Sequence, residues 1–223
     1  SLVLLCADLD APEDLSLADT QGVSLDGNVP RRPFFHWVLI DLPPSTGDIE
    51  EGAYAIGVYR RGKSQLSDEI PAREGLNDLT HRFANDPQMA GYYYGYDGPC
   101  PPWNDPRPHR YCFTLYALDV GALTVPTMFY GNDVVAAMEG HVLASASLTG
   151  VYTLDPSVAP VQVGSTTATW HSVSISIAFI RSRLRMMPSS TALEPPERPL
   201  PAPRGTPGTP CSAAQRAGAW AWA

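Results

Sequence analysis

The chain has little cysteine, few basic residues and no long apolar run, and each shortage excludes a class of protein. Its four cysteines are Cys6, Cys100, Cys112 and Cys211. Their spacing fits neither a zinc site nor a C-x-x-C redox motif. Four in a chain this long do not establish a disulfide framework, although one bridge remains open. Lys and Arg number 15 against 23 Asp and Glu, a net charge of −8. That balance argues against a nucleic-acid partner, since phosphate backbones need clustered cations. No stretch approaches the roughly 20 apolar residues of a spanning helix, so stable membrane insertion is not expected. The opening run Leu2 to Ala7 is short and has no basic flank, unlike a secretory signal. No serine sits in a nucleophile-elbow motif, and no 20–50-residue repeat is visible.

What is present points to strands. The 23 prolines disfavour a helical bundle and suit strands joined by long loops, while 44% hydrophobic residues allow a sizeable core. Charge is uneven along the chain. Residues 1–160 carry 9 Lys and Arg against 21 Asp and Glu, whereas 161–223 carry 6 Arg and 2 Glu. The change places a boundary near residue 156, giving a domain over 1–156 and a tail over 157–223. From Met187 onward the tail is dominated by Pro, Ala, Gly, Ser and Thr, and it is expected to be disordered.

Leu2–Asp8 (LVLLCAD) reads as a buried strand ending in a carboxylate. Residues 9–33 have no periodicity, and a loop that long is often functional. Phe34–Leu42 (FFHWVLIDL), bracketed by Pro33 and Pro43, reads as a second strand. Period-two geometry puts Phe34, His36, Val38 and Ile40 on one face and Phe35, Trp37, Leu39 and Asp41 on the other. Ala53–Tyr59 suits a short strand, Asp78–Phe83 a helical turn, and Tyr92–Tyr94 aromatic cover over a sheet. The Gly/Pro-rich stretch from Asp97 feeds a third strand over Tyr111–Asp119. Asn132 is expected to cap a helix running to about Ala144, followed by a last strand over Ser145–Leu154.

These strands imply a convergence. Asp8 ends the apolar stripe of the first strand, His36 lies near the start of the second, and His109 and Tyr111 stand at the N-terminal end of the third, before Phe113 and Leu115. If the strands run antiparallel, these polar groups meet at one end of the sheet, with Asp10 just beyond. A carboxylate, two imidazoles and a phenol around a dry pocket can hold a small anion, with Gly98-Pro99 and Pro101-Pro102 as a stiff wall. A cis X-Pro bond suits that wall.

The segments ADLDAP (7–12), FFHWVLIDLP (34–43), GPCPP (98–102), HRYCFTLYALD (109–119) and EGHVLASASLTGVY (139–152) resemble the phosphatidylethanolamine-binding protein family. The resemblance is to its bacterial, Raf-kinase-inhibitor-like branch, and it covers roughly residues 1–155. It implies a mainly β, antiparallel sandwich-like fold: a large central sheet, a smaller sheet and few short helices. It also implies a cavity for phosphate-like anions or phospholipid headgroups. The family's motif positions fall on Asp8 and Asp10, His36, the turn from Gly98 through Cys100, Pro101 and Pro102, and on His109 and Tyr111. Leu9 stands where the family has proline. Ser1 opens directly onto a strand, so on this resemblance the family's N-terminal strands are expected to be absent, as in a fragment.

The expectation is therefore a binding protein, without cofactor, metal or enzymatic activity. Its partners would be a small anionic ligand or lipid headgroup, a kinase or protease target, and a second copy in a homodimer. Its compartment would be the cytoplasm, or the periplasm if a leader preceded Ser1. The alternative is a small hydrolase using an Asp-His pair as general base, with Cys100 the best nucleophile. A metal site from the converging His and Asp side chains is a third option.

Overall fold

Short apolar runs bracketed by proline or carboxylate form the core strands. The computed structural model describes residues 1–49, 54, 60–65, 71–155, 157–158 and 221–222. The expected strand over 53–59 and the expected disordered tail lie outside these, apart from Tyr54, residues 157–158 and the pair Ala221–Trp222. Strand β1 is Leu2–Asp8, β2 Phe34–Leu42, β3 Gly62–Lys63, β4 Arg73–Glu74 and β5 Tyr92–Tyr93. Helix α1 is Leu79–Arg82, β6 His109–Leu118, α2 Gly131–Ala137, β7 Val142–Tyr152 and β8 Ala221–Trp222. A large sheet in the order β4-β2-β1-β6-β7-β8 has antiparallel neighbours throughout, and β3 and β5 form a short parallel ladder. The fold is mainly β with few short helices, as the resemblance implied.

β1 lies between β2 and β6 and is buried along its whole length. A strand covered on both faces needs apolar residues at every position, which is why LVLLCA does not alternate. Leu2, Leu4 and Cys6 pack with Trp37, Leu39, Phe113 and Leu115 on one face. Val3, Leu5 and Ala7 pack with Phe35, Val38, Ile40, Phe129, Val134 of α2 and Met138 just after it on the other. Each fully buried side chain of this size is worth roughly 1.5–3 kcal/mol.

The strict alternation expected for β2 fails. The pairing register shifts between Cys6 and Ala7, where Cys6 faces Trp37 and Ala7 faces Phe35, leaving His36 unmatched. It shifts again between Leu2 and Leu4, beside Asp41 at φ 59°. Each shift is a bulge that inserts an extra residue and re-aims side chains. Trp37 and Leu39 therefore share one face with Tyr111, against whose ring the His36 ring lies, and Val38 and Ile40 share the other with Phe35.

The helix expected from Asn132 to about Ala144 is also shorter. It starts at Gly131 after Tyr130, whose N–H donates to Asp133 Oδ2 at 2.8 Å. It ends before Gly140, whose φ of 80° is a left-handed stop, and Val142 already opens β7. Gly131 has no room for a side chain, since a Cβ there would lie 2.2 Å from the Phe35 ring.

Candidate functional site

The ladder brings the polar strand ends together. Asp8 pairs across β1 with Phe34 of β2 on one side and Tyr111 of β6 on the other. His109 opens β6, and the rings of His36 and Tyr111 lie 5.1 Å apart. The Gly98–Pro99 bond of the adjacent turn is cis. Gly98 lies so close behind the His36 ring that a Cβ would come within 3.1 Å of Nδ1. This turn is where a glycine is needed for close approach.

Behind the strand ends runs a chain of alternating charges. Asp8 Oδ2 meets His109 Nδ1 at 2.6 Å, and His109 Nε2 meets Asp105 Oδ2 at 3.0 Å. Asp105 in turn takes both ends of the Arg31 guanidinium. Burial alone would lower the His109 pKa, but the bonds to Asp105 and Asp8 outweigh it and raise it to about 9. Burial likewise pushes Asp105 up, yet His109 and Arg31 hold it well below the usual carboxylate range. His109 is thus an imidazolium at neutral pH, donating from both nitrogens. Asp8 Oδ1 accepts the Asp10 N–H at 2.9 Å. Asp10 is clamped by Arg110, through Nε at 2.7 Å and Nη2 at 3.0 Å. Those bonds hold its carboxyl low against the upward push of burial.

His36 is fixed differently. Its Nδ1 lies 2.5 Å from the backbone oxygen of Asp97. A carbonyl only accepts, so Nδ1 is the donor and the other ring nitrogen, Nε2, faces away from this bond. Burial keeps the His36 pKa low despite the pull of Asp8, Asp97 and Asp78. Asp97 is itself anchored by Lys63, the only lysine in the chain, whose Nζ donates to Oδ1 at 2.8 Å. Asn77 Nδ2 donates to Asp97 Oδ2, also at 2.8 Å. Burial pushes the Asp97 carboxyl up, and Lys63 and Asn77 offset only part of that push.

A cavity of about 70 Å³ opens at this end of the sheet, lined in part by Asp8, His36, Cys100, Pro102 and Arg82. Leu15, Phe34, Leu79 and Phe83 supply its apolar wall. A single water needs roughly 10–15 Å³ of such space, so about five small atoms fit. Of the expected site residues, Asp8, His36, Cys100 and Pro102 reach the cavity. Asp10, Gly98, Pro101, His109 and Tyr111 are absent from its lining, and all five are buried. His109 therefore braces Asp8 from behind, and Tyr111 packs against His36.

Sequence reasoning missed Asp105, the Lys63–Asp97–Asn77 cluster and Arg82. Asp105 sits four residues before His109 in the same Pro-rich turn, and that spacing was a usable signal. Nothing local marks Lys63 or Asn77, which tertiary structure brings to Asp97. Cys6 and Cys112 are free thiols, whereas Cys100 is disulfide-bonded. Among the described residues, no group of three or more His, Cys, Asp or Glu is placed to hold a metal ion. No helix among them is long and apolar enough to cross a membrane.

The family model for phosphatidylethanolamine-binding protein matches residues 1–153. A UPF0098 protein of Methanothermobacter thermautotrophicus is 34% identical over 152 residues, which is 68% of this chain and 72% of that protein. A UPF0098 protein of Chlamydia trachomatis is 33% identical over 155 residues, 70% of this chain and 74% of that protein. The crystal structure of Escherichia coli YbcL, described as a new member of the mammalian PEBP family, is 22% identical with a TM-score of 0.44. That likeness covers 69% of this chain and 71% of YbcL.

Proposed function

The chain belongs to the phosphatidylethanolamine-binding protein family, and from that membership we propose that it binds a phosphate-like oxyanion in the Asp8/His36 cavity. The observation that supports this reading is the cavity itself. It is small, and its lining includes Asp8, Asp19, His36 and Arg82. Arg82 pairs with Asp19 at 3.2 Å, but both side chains are partly exposed, so the pair is weak and solvent-screened. The apolar wall leaves room for a substituent on the anion, as on a headgroup.

Binding rather than catalysis is the role we assign. The Asp8–His109 pair has the spacing of a general-base couple, yet His109 keeps protons on both nitrogens and has no lone pair to offer. Cys100, the nucleophile of a hydrolytic alternative, is disulfide-bonded. The test is calorimetric titration with inorganic phosphate, with His36→Ala as control. Saturable binding to the unmodified chain that weakens at least tenfold in the variant is expected. Absence of binding at millimolar phosphate, or unchanged binding in His36→Ala, refutes the assignment.

A further inference from the structure

The ammonium of Lys63 is buried, and a lysine is seldom buried without a specific partner. Its Nζ donates to Asp97 Oδ1 at 2.8 Å and to the Tyr96 carbonyl at 3.0 Å. Asn77 Nδ2 grips the same segment, through Asp97 Oδ2 at 2.8 Å and the Gly95 carbonyl at 3.1 Å. Three consecutive residues, 95–97, are thus held by two side chains from elsewhere in the chain. The backbone so held meets His36 twice. The Asp97 N–H donates to the His36 carbonyl at 3.1 Å, and the Asp97 carbonyl accepts from His36 Nδ1.

Stability alone does not account for the ladder that carries Lys63. Strands β3 and β5 are two residues each and parallel, a pairing too short to stand by itself. It needs backbone against backbone, since a Cβ on Gly91 would run into the Arg61 carbonyl. The Tyr94 N–H then donates to the Lys63 carbonyl at 3.1 Å. An apolar side chain at 63 facing an apolar one at 97 would avoid burying two charges.

We propose that Lys63 and Asn77 are positioning residues: by fixing the Asp97 carbonyl they hold the His36 ring in one orientation, with a proton on Nδ1 and Nε2 left to meet a ligand. Neither side chain lines the cavity, so both act through His36. Which ring nitrogen of a histidine carries the proton is set by the hydrogen bond that the ring makes. A carbonyl only accepts, so its presence at Nδ1 keeps the proton there. Once residues 95–97 lose their clamp, the ring is free to turn and to share the proton between both nitrogens. The consequence for binding rests on the oxyanion reading above, whereas the positioning of His36 does not.

The experiment is NMR of the histidine ring nitrogens in the isotope-labelled, ligand-free chain at neutral pH, with His36 assigned by its loss in His36→Ala. The spectrum reports where the proton sits in folded molecules, so a role in stability alone would leave it unchanged. In the unmodified chain the His36 proton is expected on Nδ1. In Lys63→Met the signals should move to those of a ring sharing its proton between both nitrogens. Calorimetric titration of that variant with inorganic phosphate should show binding about tenfold weaker, the cost of misplacing one hydrogen-bond partner. Ring signals in Lys63→Met identical to those of the unmodified chain overturn the proposal, as does an unmodified chain with the proton on Nε2 alone. If Lys63→Met does not fold, Gly91→Ala decides by the same criterion, because it disturbs the ladder while keeping every residue of the clamp. If the ring responds as expected and the unmodified chain binds no phosphate, the oxyanion reading falls and the positioning stands.

Discussion

The two faces of the central sheet are built from the same strands and solve different problems. On the α2 face, Val3, Leu5, Ala7, Phe35, Val38 and Ile40 meet apolar partners throughout. On the opposite face, the stripe of Leu2, Leu4 and Cys6 runs into Asp8, and its neighbours end in His36 and His109. The first face gains stability simply by leaving water. The second buries Asp8, Asp97, Asp105, His36 and His109, and each must be matched by a donor or an opposite charge. Arg31, Lys63 and Asn77 do that matching from loops and a short edge ladder, not from the core strands. A polar sheet end so fully braced behind, yet opening a cavity in front, is the feature on which the proposed binding site rests. Stability alone would have been served by more leucine.

The largest effects should come from breaking a match at the polar end. In Lys63→Met the Asp97 carboxylate keeps Asn77 but loses its buried cation, and removing one partner of a buried pair costs about 3–5 kcal/mol. Urea unfolding at neutral pH measures this. Because burial already pushes Asp97 up, the loss should shrink as the pH falls and Asp97 protonates. A pH-independent loss would mean that Lys63 acts by packing. On the apolar face, Leu5→Ala should cost about 2–5 kcal/mol through lost burial and the cavity left behind. That cost should be flat with pH and leave phosphate binding unchanged, which separates the two faces by experiment.

A third prediction concerns pH itself. The His109 pKa is raised from 6.5 to about 9, so its contribution is fully present below pH 6.5 and lost as the pH climbs through 9. The loss between pH 6.5 and 9.5 should be on the order of 3 kcal/mol. In Asp105→Asn the imidazolium loses one of its two carboxylates, and the alkaline loss should become smaller. An unchanged alkaline slope in that variant would contradict the charge chain from Asp8 to Arg31.

The comparison of faces also explains what could be read in advance. β1 and β2 were legible to the residue, because Pro33, Pro43 and the terminal Asp8 mark ends that local chemistry sets. The meeting of Asp8, His36, His109 and Tyr111 at one sheet end followed from antiparallel pairing, and the ladder has it, but alternation alone set His36 on the face of Val38 and Ile40. Which side chains then reach the cavity did not follow. The bulge opposite Cys6 is a property of pairing register, and alternation along a single strand is blind to it. The bonding of His109 to Asp105 depends on how a Pro-rich turn folds back, and Lys63 reaches Asp97 only through tertiary contact. The α2 end was overrun although Gly140 was visible, because Val142 kept the helical spacing while beginning a strand.

The smallest effect is expected at the outer edge of the polar end and tests how far its special character extends. Asp10 is buried, but the Arg110 side chain that clamps it is 55% exposed. Arg110→Ala leaves Asp10 the backbone N–H of residue 110 at 3.0 Å and Arg107 at 3.4 Å. An exposed clamp of this kind is worth about 1 kcal/mol or less and is screened by salt. Denaturation in low salt should show that loss, and in 1 M salt, where screening acts over about 3 Å, the variant and parent should nearly coincide. A loss above about 2 kcal/mol that survives high salt would place Asp10 with Asp97, among charges whose partner cannot be replaced by solvent. The braced region would then reach through Arg110 to the surface of β6. A small, salt-sensitive loss confines it to the fully buried chain from Asp8 through His109 to Asp105.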